Sequence, residues 1–515
     1  MRDGSQSANV SFTLSDKIRI AIALDDMHVD YIEGGWPGSN VKDNIFFKEM
    51  KQHSLQHSKL AAFSSTRRKS VTPDKDKSLD EILASGVGTA VIFGKSWKLH
   101  VSDVLKVSDE ENLNMIYDTV SYLVSHGLEV IYDAEHFYQG FLSDKEYALR
   151  SLKSAEDAGS ATIVLADTNG GTIPSAVSAI TREVSGAVKS KLGVHMHNDS
   201  GCAVANTIAG VEAGAVHIQG TINGLGERTG NADIVQLLPT LSLKMGYSSK
   251  SSINLHKLKD ISLLVDELSM QGSNPRQPYV GANAFAHKAG VHADAMLKNS
   301  LSYEHIVPEL VGNKRVILLS EVSGASNLIW HAEKLGISLT KDNEKLKDAL
   351  SLIKKLEEQG YEFDSAPASA MLILLSKLGL YNEYVALQGW EVVSNEKISS
   401  ATVKTEMHTG TGRGDGPVNA IDNAIRSAFG HMCPAIMNVR LIDYKVVLPG
   451  KIRDTESIVR VLTEFTDGSE LWRTVGISQN IIQASVQSLL DGFNYYMWLQ
   501  NRKAKPEVQD TNRVQ

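Results

Sequence analysis

The sequence has little cysteine: Cys202 and Cys433 are the only two in 515 residues. Two isolated thiols make neither a disulfide framework nor a CxxC-type metal site, as expected in a reducing compartment. No run of about 18 apolar residues, the length that spans a bilayer, occurs. The opening Met1-Arg2-Asp3-Gly4-Ser5-Gln6 lacks both the apolar stretch of a signal peptide and the Arg/Ser richness of a transit peptide. These absences predict a cytoplasmic protein with no membrane partner. Basic residues are not in excess either. The net charge is −8, which excludes the broad cationic surface of a nucleic-acid binder. What is present is ordinary globular composition, with enough chain for roughly three domains.

Up to about residue 250, short apolar runs alternate with helical patterns. The runs are 28–34, 59–65, 88–94, 129–135, 161–168, 192–197 and 215–222. They are rich in Val and Ile, as strands buried on both faces should be. Helical patterns fall at 16–25 behind a Ser15 cap, at 111–126, at 144–158 and at 174–191. This rhythm predicts βαβ units and a parallel sheet. A (β/α)8 TIM barrel needs eight strands, and seven are counted. Arg2-Asp3-Gly4 reads as the loop after a strand, so the first strand is expected to be missing from the start.

The pattern then changes. Residues 251–398 read as helical subdomains, with an amphipathic helix at 344–359 and an apolar one at 367–378. Residues 399–500 read as a separate α+β module: a Gly-rich loop at 409–417, a helix at 418–429, strands at 439–447 and 458–466, and a closing helix at 481–499. A polar tail, 501–515, follows.

Several residues have the chemistry of a site. His195 and His197 end a predicted strand and point the same way, into the barrel mouth. Two imidazoles so placed chelate one metal, although an HxH pair also serves as two hydrogen-bonded structural histidines. Asp3 would share the same mouth, and a carboxylate with two imidazoles suits Mg²⁺, Mn²⁺ or Zn²⁺. Taken alone, Arg2-Asp3-Gly4 is equally a plain turn. Glu135 closes a strand and is either an acid–base group or a salt-bridged barrel residue. Thr168, followed by Asn169-Gly-Gly171, either holds a carboxylate or caps a turn. Gly224-Leu-Gly-Glu-Arg-Thr-Gly-Asn231 resembles a dinucleotide fingerprint only superficially, because it follows a barrel strand. Within it, Glu227 and Arg228 can pair with each other.

Six motifs in order then become informative: Arg2–Gln6, Asp133-Ala-Glu-His-Phe137, Asp167-Thr-Asn-Gly-Gly-Thr-Ile-Pro174, His195-Met-His-Asn-Asp199, Gly220-Thr-Ile-Asn-Gly224 and Gly226-Glu-Arg-Thr-Gly-Asn231. Together they resemble the acetyl-CoA-dependent 2-oxo-acid condensing synthases, which include isopropylmalate, homocitrate and citramalate synthases. The likeness continues through 286–294, 320–324 and 414–418. With Phe93-Gly-Lys-Ser-Trp97 added, it looks most like the citramalate branch. The resemblance implies that Asp3, His195 and His197 ligate a divalent metal, with Asn231 near or on it. It implies that Arg2 and the metal polarise the ketone of pyruvate, that Thr168 holds the pyruvate carboxylate, and that a base near Glu135 and His292 deprotonates acetyl-CoA. His292, Asp294 and Tyr303 would belong to a subdomain reaching over a partner's barrel, implying a homodimer. A C-terminal regulatory domain would bind isoleucine. His287 and His292 are also explained as ordinary subdomain contacts, and the 409–417 loop as a turn. Two other functions compete: the same condensation on another 2-oxo acid, and a non-catalytic amino-acid-binding paralogue. Members of this group carry a strand ending in Thr-Leu before Arg-Asp-Gly, and Met1 stands where Leu would. The sequence is therefore expected to be truncated at its start.

Overall fold

The computed structural model describes residues 1–320, 323–449 and 457–503. Two positions of the 320–324 motif, and the expected tail beyond residue 503, lie outside the described residues. The chain forms two compact units, Met1–Phe285 with Ile306–Lys314, and Ala286–His305 with Arg315–Gln515.

The first unit holds seven strands: β1 (Tyr31–Gly35), β2 (Lys59–Ser65), β3 (Thr89–Lys95), β4 (Glu129–Glu135), β5 (Thr162–Asp167), β6 (Lys191–Met196) and β7 (His217–Gln219). They lie in sequence order, each parallel to the next. The helices of the unit are α1 (Leu14–Asp26), α2 (Val41–Met50), α3 (Lys77–Ser85), α4 (Asp109–Ser125), α5 (Phe137–Ser143), α6 (Lys145–Asp157), α7 (Pro174–Ser185), α8 (Ala203–Glu212), α9 (Ile234–Pro239) and α10 (Leu258–Ser269). This is a TIM-type barrel with seven strands among the described residues, β1 and β7 forming its edges.

The period of two sorts each strand's side chains. Ile32, Ala62, Ala90, Ile92, Val130, Tyr132, Ile163 and Leu165 pack into the layer that includes the buried faces of the helices, for example Ile116 and Leu152. The alternate residues Ala61, Phe63, Val91, Ile131 and Val164 form a second, inner cluster. Polar residues on that inner phase are therefore delivered to the C-terminal ends of the strands. A cavity of about 680 Å³ opens between β1 and β7, walled by Ala61, Val91 and Ile218 and reaching Asp3 and His195.

Three helix boundaries differ from the sequence expectation. Thr13, not Ser15, caps α1: its Oγ1 accepts from the Asp16 N–H at 3.2 Å, while Asp16 Oδ2 accepts from the Thr13 N–H at 2.8 Å. The stretch 144–158 is not helical throughout, because Asp144 is extended and caps α6 at the Tyr147 N–H. The helix expected over 174–191 ends at Ser185, since Lys191–Met196 is drawn into register with β5.

The second unit contains the short parallel pair β8 (Ala286–His287) and β9 (Val316–Ile317), followed by two antiparallel three-stranded sheets. The first is β10 (Gly389–Ser394), β11 (Ser399–Lys404) and β12 (Thr409–Gly414); the second is β13 (Arg440–Val447), β14 (Val459–Thr466) and β15 (Leu471–Ser478). Its helices are α11 (Gly290–Lys298), α12 (Ala325–Lys334), α13 (Glu344–Glu358), α14 (Pro367–Leu378), α15 (Pro417–Phe429) and α16 (Ile481–Lys503). The Gly-rich segment expected as a loop is thus mainly the strand β12. Gly410 and Gly412 face α15 so closely that a Cβ on either would sit 2.3 Å from the backbone of Ala424. Glycine at alternate positions lets the helix lie on the strand.

Candidate active site

Asp3 and the two imidazoles come together at the strand ends. One ligand-capable atom each from Asp3, His195 and His197 lies within 4.8 Å of the others, and Asp3 Oδ2 is 3.3 Å from His195 Nε2. Asp3 reaches this point from the turn before a short 3-10 segment, Gly4–Gln6. His195 lies on β6, and His197 follows it, its backbone bridged to Asn231. Asn231 Nδ2 donates to the Leu225 carbonyl at 3.1 Å. Its Oδ1 and His197 Nδ1 are buried without a hydrogen-bond partner.

Arg2 is held on three sides. Its Nε donates to Glu33 Oε1 at 2.6 Å, its guanidinium carbon lies 3.7 Å over the Phe63 ring, and Nη2 is 3.7 Å from Asp3 Oδ2. Glu135, at the end of β4, forms an ion pair with Lys95 at the end of β3. Thr168 Oγ1 accepts from the His136 N–H at 3.0 Å. Arg228 donates to the Thr168 carbonyl at 2.8 Å and grips Asp199 at 2.7 and 2.9 Å. The Glu227 contact, at 3.7 Å, is secondary to these. His292, Asp294 and Tyr303 lie in the second unit. His292 and Tyr303 stack at 4.3 Å between ring centroids, and Asp294 is bound by Lys298, Lys341 and Ser326.

Burial works to raise the Asp3 carboxyl, but Arg2 and then the two imidazoles outweigh it, and Asp3 stays below the ordinary carboxylate range. Burial, with His195 next to it, lowers His197 to about 4, so this ring is neutral near pH 7. Burial, and then the Glu33 carboxylate, push Asp133 well above its usual range. An ionised carboxylate, a neutral imidazole with an orphaned nitrogen and an orphaned amide oxygen fit the mixed O/N donor set of a divalent cation.

Sequence reading passed over Glu33, Lys95 and Gln219. Each is polar and sits on the inward phase of its strand, Lys95 and Gln219 at the C-terminal end, as His195 and Glu135 do. That shared phase is the signal that would have found them.

The HMGL-like family matches residues 1–265. A homocitrate synthase post-HMGL domain-like family matches 279–361, and the LeuA allosteric (dimerisation) domain matches 365–497. The (R)-citramalate synthase of Sulfolobus acidocaldarius is 54% identical, over 96% of this chain and 95% of its own. That of Geobacter sulfurreducens is 45% identical, over 96% of each. The chain belongs to the (R)-citramalate synthase family. Within the wider group, the 2-isopropylmalate synthase of Methanocaldococcus jannaschii is 34% identical, over 96% of this chain and 93% of its own. The barrel unit of this citramalate synthase family member carries the Asp3–His195–His197 cluster, and the LeuA domain match covers both antiparallel sheets.

Proposed function

We propose that this chain condenses acetyl-CoA with pyruvate and hydrolyses the resulting thioester, releasing (R)-citramalate and CoA, as an acyltransferase that turns the acyl group into alkyl on transfer. The observation that carries this reading is the 54% identity to the Sulfolobus acidocaldarius enzyme along nearly the whole chain. The identity to the 2-isopropylmalate synthase is 34%, so pyruvate is favoured over a branched 2-oxo acid.

Asp3, His195 and His197 would hold a divalent cation, with the amide oxygen of Asn231 beside them. When bound, such an ion supplies Lewis acidity to the 2-oxo group. Arg2 is fixed by Glu33 and by the Phe63 face, so its remaining N–H groups offer positive charge to the ketone oxygen as it becomes an alkoxide. Thr168 uses its oxygen to accept from His136 N–H, and its hydroxyl proton stays available for the pyruvate carboxylate. Glu135 is the assigned base: it takes a proton from the acetyl methyl, and the resulting carbanion attacks C2 of pyruvate. Lys95 orients Glu135 through their ion pair. Water then cleaves the thioester, which makes the sequence irreversible. His292, Asp294 and Tyr303 are assigned to the same reaction from a partner subunit in a homodimer formed through the LeuA domain, which would bind isoleucine as inhibitor.

Chiral chromatography of the product from acetyl-CoA and pyruvate tests this. (R)-citramalate in amounts equal to released CoA is the expected result; CoA release with no citramalate overturns it. Added isoleucine should lower the rate.

A further inference from the structure

A metal ligand needs its lone pair facing the ion. For His195 the nitrogen facing Asp3 is Nε2, 3.3 Å from Oδ2. A neutral imidazole carries one proton, so a ligating Nε2 requires that proton on Nδ1. Something must then accept it.

Gln219 does. It is the register partner of His195 across β6 and β7, so both side chains emerge on the same face of the sheet. Its Oε1 lies 2.9 Å from His195 Nδ1. An amide can turn over, and the flipped form would donate to Nδ1 and drive the proton onto Nε2. Asp133, reaching across the barrel from β4, prevents this: its Oδ1 accepts from Gln219 Nε2 at 2.9 Å. That oxygen is an acceptor whether the carboxyl is ionised or holds a proton on Oδ2. The amide therefore presents its N–H side to Asp133 and its oxygen to His195.

We propose that Gln219 and Asp133 are positioning residues that fix the tautomer of His195 and thereby set the affinity of the Asp3–His195–His197 site for a divalent cation. The inference rests on the metal-site reading above. It assigns Gln219 a role that its amide chemistry alone does not suggest, and gives the buried Asp133 a use in holding that amide.

The test measures Mn²⁺ binding by metal-free full-length protein in competition with a fluorescent chelator, alongside thermal melting. Outer partners of metal-bound histidines are worth about 10- to 100-fold in affinity, and Gln219→Met is expected to weaken Mn²⁺ binding by that factor. Its melting temperature without metal should stay near that of the parent. A second pair of variants guards against misfolding. Gln219→Glu keeps an acceptor for His195 Nδ1, and the buried Asp133 carboxyl, held protonated, donates to its other oxygen, so binding should stay within about threefold of the parent. Adding Asp133→Asn supplies an amide that donates to the carboxylate introduced at position 219, which still accepts from His195 Nδ1. The double variant should likewise bind within about threefold of the parent, since the order of donor and acceptor toward His195 is kept. A parent that binds no Mn²⁺ overturns the metal-site reading and this inference together. A parent that binds Mn²⁺ while Gln219→Met binds it equally well, or Gln219→Glu variants that bind as weakly as Gln219→Met, overturn the inference alone.

Discussion

Five strands of sequence, β1 to β5, separate Asp3 from His195, yet a carboxylate oxygen and an imidazole nitrogen end 3.3 Å apart. Burial makes that pairing consequential. Asp3 is ionised in a setting that opposes charge, held there by Arg2 and the imidazoles.

Removing this charge should abolish metal-dependent turnover. Asp3→Asn keeps the volume and loses the anion, and CoA release is expected to fall at least about 100-fold. The same variant should lose Mn²⁺ binding with its melting temperature little changed. Turnover within a few-fold of the parent would contradict the ligand assignment.

The Lys95–Glu135 pair makes a separate prediction. Glu135→Gln removes the assigned base, and kcat should drop by about 10²–10⁴. Proton removal then limits the rate, so acetyl-CoA deuterated on the methyl group should show a larger isotope effect than with the parent. An unchanged kcat and isotope effect would place the base elsewhere.

How far the sequence showed this fold depends on which side chains carry the signal. Strands β2 and β4 have the bounds that their apolar runs predict, because both faces are buried and the run ends where burial ends. Helix limits set by a single residue were less legible. Thr13 caps α1 through Asp16, and Ser15 lies inside the helix. The 409–414 segment misled because glycine ordinarily marks a turn. Here its glycines alternate on one face of a strand, at a spacing that only packing against α15 explains. The chelating residues were legible as an HxH on a strand end. Gln219 and Glu33 were not, since an amide and a carboxylate on the two edge strands look like solvated polar residues until the fold sets them against His195 and Arg2.

That packing is directly testable. Gly412→Ala places a methyl 2.3 Å from Ala424 N and 2.4 Å from Ala420 O, backbone atoms that cannot swing aside. A loss of about 1–3 kcal/mol is expected, read by denaturant unfolding of the full chain. Gly416→Ala meets nothing within 4 Å and should cost less. Equal stabilities would contradict the close approach of α15.

Asp491 gives the second unit a pH-sensitive element of its own. Burial raises its carboxyl to about 7, although Ser369 donates to it at 2.6 Å. The folded state therefore keeps this proton where the unfolded chain has released it. The associated stability is fully present below the unfolded value near 4 and is lost as pH rises through about 7. Asp491→Asn is neutral at every pH and still accepts from Ser369. It should melt above the parent at pH 8 and close to it at pH 4. The same difference at both pH values would contradict this assignment.

The most direct test of the whole account is CoA release from acetyl-CoA, followed with a thiol reagent, with pyruvate, 2-oxobutyrate, 2-oxoisovalerate or 2-oxoglutarate, in Mn²⁺ or in EDTA. Release should be fastest with pyruvate and abolished by EDTA. Release that persists in EDTA, or that favours another of the four acids, would contradict it.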